Sequence, residues 1–218
     1  MNEIEKTGQA EFDFAAPNPA QKEPSALPPF LRQEGFYFVA LGGAEKVGMN
    51  MYAYLSDGRI IVVDAGYDFL NDDFPGMELG LADPAWLESY RDCIDAMFIT
   101  HSHEDHFGAI AHIWPRLRCP VYATDFTIGH ILPRLREYKL ENEVELISVN
   151  QNPVVKLPDF EVEYVPVVHS LPENSALRIK TKYGTVFHAT DWRFDDCHID
   201  FMKTSYDRLK QVGEQGVD

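Results

Sequence analysis

Apolar positions along this chain come in short runs broken by Gly, Asp and Pro, and the runs alternate between strand-like and helix-like spacing. Phe36-Tyr37-Phe38-Val39-Ala40-Leu41 predicts a first strand, interrupted by Gly42-Gly43. Met49 to Leu55 and Arg59 to Asp64 flank Ser56-Asp57-Gly58, and an Asp-Gly pair between two apolar runs is a strong hairpin signal. Asp68 to Asp83 is acidic and without alternation, so an irregular loop is expected. Pro84 suits the first turn of a helix through Tyr90. Ala96-Met97-Phe98-Ile99-Thr100 reads as a strand, and Ala109 to Trp114 as a short helix that Pro115 helps end. Pro120 to Ala123 is a short strand, after which Asp125 can cap a helix through Leu132. Phe160 to Val168 alternates as a strand, and Leu177 to Thr181 with Thr185 to Ala189 forms a second hairpin about Tyr183-Gly184.

Composition changes this picture at the ends and in the choice of partners. Residues 1 to 29 hold five of the fourteen prolines and few large apolar groups, so a disordered tail is expected there, with one domain over 30 to 218. Nineteen basic against 35 acidic residues leave a net charge of −16, which argues against indiscriminate binding to nucleic acid or an anionic membrane. Charge is nevertheless local. Twelve acids against Arg59 and Arg91 lie between Asp57 and Asp105, whereas Arg116, Arg118, Arg134, Arg136 and Lys139 outnumber the acids beyond. That basic stretch is either a solvated helix face or a ribbon for a phosphate backbone. Cys93, Cys119 and Cys197 form no C-x-x-C pair, so neither a disulfide framework nor a thiolate metal site is suggested. With no apolar leader and no run of eighteen apolar residues, the expectation is a cytoplasmic protein that does not span a membrane.

The chemistry concentrates in Thr100-His101-Ser102-His103-Glu104-Asp105-His106-Phe107-Gly108, at the end of a predicted strand. Neutral imidazole nitrogens and carboxylate oxygens are the donors a borderline divalent ion such as zinc prefers. Side chains at i and i+2 of an extended segment point the same way, so His101 and His103 can grip one ion. Asp105 and His106 follow the turn and can serve a second ion, typically about 3.5–4 Å from the first. A His-rich loop as surface decoration is the bland alternative, and the H-x-H-x-D-H order at a strand end weighs against it. Asp64 closes an apolar strand before Ala65-Gly66; beyond a turn, it is suited to take the free N–H of a ligating imidazole. His169 ends another strand and is the third candidate ligand for the first ion, while Asp191 ends a further strand and can bridge two. His112 and His188 are expected to be structural.

These residues resemble the metallo-β-lactamase superfamily, over about residues 34 to 216. Within that span, Leu41 to Asn50, Trp114 to Thr124 and His169 to Asn174 look like bacterial ribonuclease J, one of the β-CASP nucleases. The resemblance implies an α/β fold, a four-layer αβ/βα metallo-β-lactamase sandwich incomplete at its C-terminus. It implies zinc as cofactor, two ions in the complete enzyme with one of them weak or absent in this chain; His101, His103 and His169 hold one ion, and Asp105, His106 and a bridging Asp191 the other. Asp64 supports them from behind, and Asp105 or Asp191 accepts a proton from the attacking water. The implied substrate is RNA, cut internally and from the 5′ end, and a homo-oligomer is possible for the complete enzyme. Two departures stand out. Thr190 occupies a place where the family commonly has Gly, and the chain ends before the β-CASP cap and the return segment with a further His for the second zinc, so a fragment is expected. Two competing readings keep the metal loop: a hydrolase of thioesters, lactones or β-lactams, or an inactive metal-binding module.

Overall fold

The computed structural model describes residues 34–44, 47–70, 75–195 and 203–218. The tail expected over residues 1 to 29, together with Cys197 and His198, lies outside them. Three strands open the fold as an antiparallel meander, β1 (Phe36–Gly42), β2 (Met51–Ser56) and β3 (Arg59–Val63). A small ribbon follows, β4 (Tyr67–Phe69) against β5 (Leu79–Leu81). Strands β6 (Ile94–Phe98), β7 (Val121–Ala123) and β8 (Leu146–Ser148) then add in parallel, giving a six-stranded sheet in the order β1-β2-β3-β6-β7-β8. Strands β9 (Val154–Lys156), β10 (Glu161–Pro166), β11 (Ser175–Thr181) and β12 (Gly184–His188) form a second, antiparallel sheet in the order β12-β11-β10-β9.

The layers follow from the side-chain period of two. In β3, Ile60 and Val62 face a core shared with the helices, whereas Ile61 and Val63 face the second sheet. Both faces are buried, which is why this strand reads as an unbroken apolar run. Helices α3 (Ile110–Leu117) and α4 (Asp125–Glu137) cover the first sheet through Ile110, Ile113, Leu117, Ile131 and Leu135, with α1 (Ala85–Glu88) adding Leu87. Between the sheets lie Tyr54, Ala96 and Phe98 against Phe160, Val162, Tyr164, Leu177 and Ile179. On the far face of the second sheet, Glu163 pairs with Arg178 across the register and with Arg208 of α5 (Tyr206–Gln215), 2.5 Å away. The order is helix, sheet, sheet, helix: the four-layer sandwich. Among the described residues no helix is long and apolar enough to cross a membrane.

Several expected boundaries move. The acidic segment Asp68 to Asp83 contains the β4–β5 ribbon rather than loop alone, because Tyr67 and Phe69 pair with Leu81 and Leu79 across it. Pro115 does not end α3: the helix runs on to Leu117 and stops where Arg118 adopts φ 52 in the left-handed region. The cap of α4 is Thr124, whose hydroxyl accepts from the Thr127 N–H at 3.4 Å, and Asp125 is the first helical residue. That helix continues past Leu132 and Pro133 to Glu137.

Candidate metal centre

All the candidate donors sit just past strand ends. Asp64 follows β3, the His101 to His106 loop follows β6 and opens α2 (Glu104–Phe107), His169 follows β10, and Asp191 follows β12. Backbone hydrogen bonds lock the first two segments together. Asp64 N donates to Phe98 O at 2.9 Å, Ala65 N to His106 O at 2.7 Å, and Ala109 N to Ala65 O at 2.9 Å. Asn50 N donates to Asp105 O at 3.0 Å, and Gly66 N to Asn50 O at 2.9 Å. The approach is so close that a Cβ on Gly66 would collide with the backbone of Asp105. Glyine at 66 is thus required by space, not by backbone angle.

The rings are oriented by hydrogen bonds on the side away from the pocket. His106 Nδ1 faces Asp64 Oδ2 at 2.8 Å, and His101 Nδ1 faces Thr100 Oγ1 at 3.0 Å. Thr100 in turn donates to the Asp64 carboxylate from its N–H and its hydroxyl, at 2.9 and 3.0 Å. Ser170 Oγ meets His103 Nε2 at 3.0 Å. With the outer nitrogens of His101 and His103 occupied in this way, His101 Nε2, His103 Nδ1 and His169 Nε2 converge, at 3.0 Å between the first pair and 3.1 Å between the second. Nitrogen lone pairs facing one another at that range repel unless a proton or a cation lies between them. Donor atoms of His101, His103, His169 and Asp191 all fall within 4.8 Å of one another, and so do those of Asp105, His106 and Asp191. This donor set fits two adjacent divalent ions with Asp191 common to both, and the His/Asp cluster in this fold marks a metal site.

Electrostatics divide the site. Burial pushes His101 down to about 2, and burial also lowers His103 and His169, so these rings are neutral and able to ligate. His106 goes the other way. Burial opposes its charge, yet Asp64 first, then Asp191 and Asp105, hold it up at about 10, so carboxylates draw positive charge to that corner. The His106 ring, 3.6 Å from the Asp191 carboxylate, holds the latter down at about 2, aided by His101 and His169.

The structure therefore brings Asp64, His101, His103, Asp105, His106, His169 and Asp191 into one pocket. It keeps His112 away, on Tyr138 Oη at 3.1 Å, and His188 on Tyr54 Oη at 2.9 Å. Thr190 adopts φ 55, a region glycine enters freely and a β-branched residue does not, and its hydroxyl donates to Thr100 Oγ1 at 3.0 Å. That angle explains why glycine is common there. Sequence reasoning missed Thr100, Ser170, Asn50 and Asn174, the last donating to the Asp191 carbonyl at 2.8 Å. Of the basic stretch, Arg134 clamps Glu104 at 2.9 Å and Arg116 pairs with Glu88 at 2.7 Å, so these two cations are neutralised within the fold.

Residues 59–206 match the β-lactamase superfamily domain. The chain is 39% identical over 190 residues to ribonuclease J of Sinorhizobium meliloti, covering 85% of this chain and 34% of that protein. It is 36% identical over 194 residues to ribonuclease J of Mycolicibacterium smegmatis, covering 88% and 34%. With ribonuclease J of Helicobacter pylori the identity is 33% over 178 residues, covering 81% and 26%. The chain thus spans about a quarter to a third of the length of these curated relatives. Among solved structures, the metallo-β-lactamase fold protein YhfI from Bacillus subtilis superposes with a TM-score of 0.55 at 18% identity, over 75% of this chain and 65% of that one, a likeness of fold.

Proposed function

Because this chain belongs to the β-lactamase superfamily domain family, we propose that it is the metal-binding portion of a zinc-dependent RNA phosphodiester hydrolase of the ribonuclease J kind, cutting RNA internally and from its 5′ end in the cytoplasm. The observation that carries this reading is the shared carboxylate. Asp191 contributes to both donor groups, the arrangement two-ion hydrolases use. His101, His103 and His169 would hold the first zinc, Asp105 and His106 the second, with Asp191 common to both, and Asp64 would fix His106 from behind. When bound, the two ions supply Lewis-acid polarisation of a phosphoryl oxygen and ionisation of a water near neutral pH.

The protein groups do the rest. Thr100, Ser170 and Asp64 fix three ring orientations before substrate arrives. Asp191, kept ionised by the imidazoles around it, belongs to both donor groups, and Asp105 or Asp191 would accept the proton of the attacking water. In a full-length version, His103→Ala and Asp191→Ala should each abolish cleavage of a labelled 5′-monophosphorylated RNA, a loss of at least about a thousandfold, and lower the bound zinc. Unchanged cleavage by either variant would refute the assignment.

A second reading rests on the net charge of −16 and on Arg134 and Arg116 being neutralised internally. These favour a small-molecule hydrolase with the same metal pair. Turnover of S-lactoylglutathione without turnover of RNA would select it.

A further inference from the structure

One polar side chain reaches both halves of the second donor group without having a role in the reading above. Asn50 is 9% exposed and lies just before β2. Its Nδ2 is 3.2 Å from Asp105 Oδ2 and 3.0 Å from His106 Nε2. Its Oδ1 accepts from the Tyr52 hydroxyl at 2.9 Å. The pair is roofed by Gly43, at φ 77, where a Cβ would strike both Asn50 Oδ1 and Tyr52 Oη. Gly43 therefore leaves room for this amide and phenol, in addition to suiting its own left-handed φ.

A carboxamide offers a donor at one end and an acceptor at the other. The end turned to the pocket follows the charge found there: nitrogen toward a lone pair or carboxylate, oxygen toward a cation. Tyr52 tolerates both, because its hydroxyl donates to an amide oxygen and equally accepts from an amide nitrogen. Turning the amide over thus leaves the Asn50–Tyr52 contact intact.

Resting on the two-ion reading above, we propose that Asn50, held by Tyr52 beneath Gly43, is an oxygen ligand of the second cation position alongside Asp105, His106 and Asp191. The first position then has three imidazoles and one carboxylate. The second has one imidazole, two carboxylates and one amide, so the two positions are chemically unlike.

The test is a calorimetric titration of the metal-free 218-residue chain with zinc, joined to a metal count after desalting. Wild type should show two equivalents. Asn50→Ala should keep the first unchanged and weaken the second by about 10–100-fold. Asn50→Asp, with a carboxylate oxygen in the same place, should restore the second. The first equivalent also reports that the variants are folded, and should Asn50→Ala fail to fold, the near-isosteric Asn50→Asp and Tyr52→Phe carry the test, the latter weakening only the second equivalent. A second equivalent that is equally tight in Asn50→Ala, or one that Asn50→Asp leaves as weak as Asn50→Ala does, overturns the assignment alone. So does a wild type that takes up a single ion. A wild type that takes up no zinc overturns the metal reading as well.

Discussion

Gly66→Ala is expected to destroy the metal centre and to lower the melting temperature of the metal-free chain by roughly 10 °C or more, from a destabilisation at or beyond about 4 kcal/mol. The cause is contact, not conformational strain. Gly66 has no left-handed backbone angle to protect, but its Cα lies against the Asp105 carbonyl, and a methyl group there would force the turn away from the metal loop. The same turn carries the Ala65 N bond to His106 O at 2.7 Å, the Gly66 N bond to Asn50 O at 2.9 Å and the Ala109 N bond to Ala65 O at 2.9 Å. Displacing it breaks these together, and a buried backbone group left unpaired costs about 1–3 kcal/mol. Gly129→Ala in α4, where nothing lies within 4 Å of the added Cβ, is the control and should melt at or above wild type. Thermal unfolding followed by circular dichroism decides. A Gly66→Ala chain melting within a few degrees of wild type would contradict the interlocked packing.

Asp64→Ala carries the second large effect. This carboxylate is fully buried at 0% exposure and receives His106 Nδ1 at 2.8 Å, Thr100 N at 2.9 Å and Thr100 Oγ1 at 3.0 Å. Removing it strands the imidazole and the threonine inside the protein. Breaking one side of a buried charged pair costs about 3–5 kcal/mol. It also frees the His106 ring to rotate, so affinity for the second ion should fall by about 10–100-fold. Asp64→Asn separates the two effects. Asparagine tolerates the φ of 62 at this position and keeps the shape, so most of the stability should return. Only one oxygen remains to accept, so metal affinity should stay below wild type. Urea unfolding with zinc titration reads both, and an Asp64→Ala chain with wild-type zinc affinity would show that the residue is merely a turn former.

The parts of this fold that were legible are those where one local pattern has one physical outcome. His101 to His106 announced itself because its donors are contiguous and follow a strand. Asp64 and Asp191 stood out because acids rarely close apolar runs unless something needs them. His169 was read from the same placement. The β4–β5 ribbon was not legible, since Tyr67 and Phe69 find their partners across an acidic stretch without alternation. Pro115 misled on a helix end, because a helix that packs on a sheet can tolerate the lost hydrogen bond. Thr100, Ser170, Asn50 and Tyr52 were invisible because their value lies in what the fold places opposite them. A hydroxyl or amide reads as ordinary in a sequence until a ring nitrogen or carboxylate stands 3 Å away.

The central claim is that donors from three separate segments, 101–106, 169 and 191, converge on seats for two cations. The most direct measurement is anomalous diffraction at the zinc edge from crystals of the chain equilibrated with zinc. The expected result is one peak within bonding distance of His101 Nε2, His103 Nδ1 and His169 Nε2, and a second beside Asp105 and His106, with Asp191 between them. Peaks only at surface histidines such as His112 or His130, or a pocket in which His169 or Asp191 swings away from bound zinc, would contradict it.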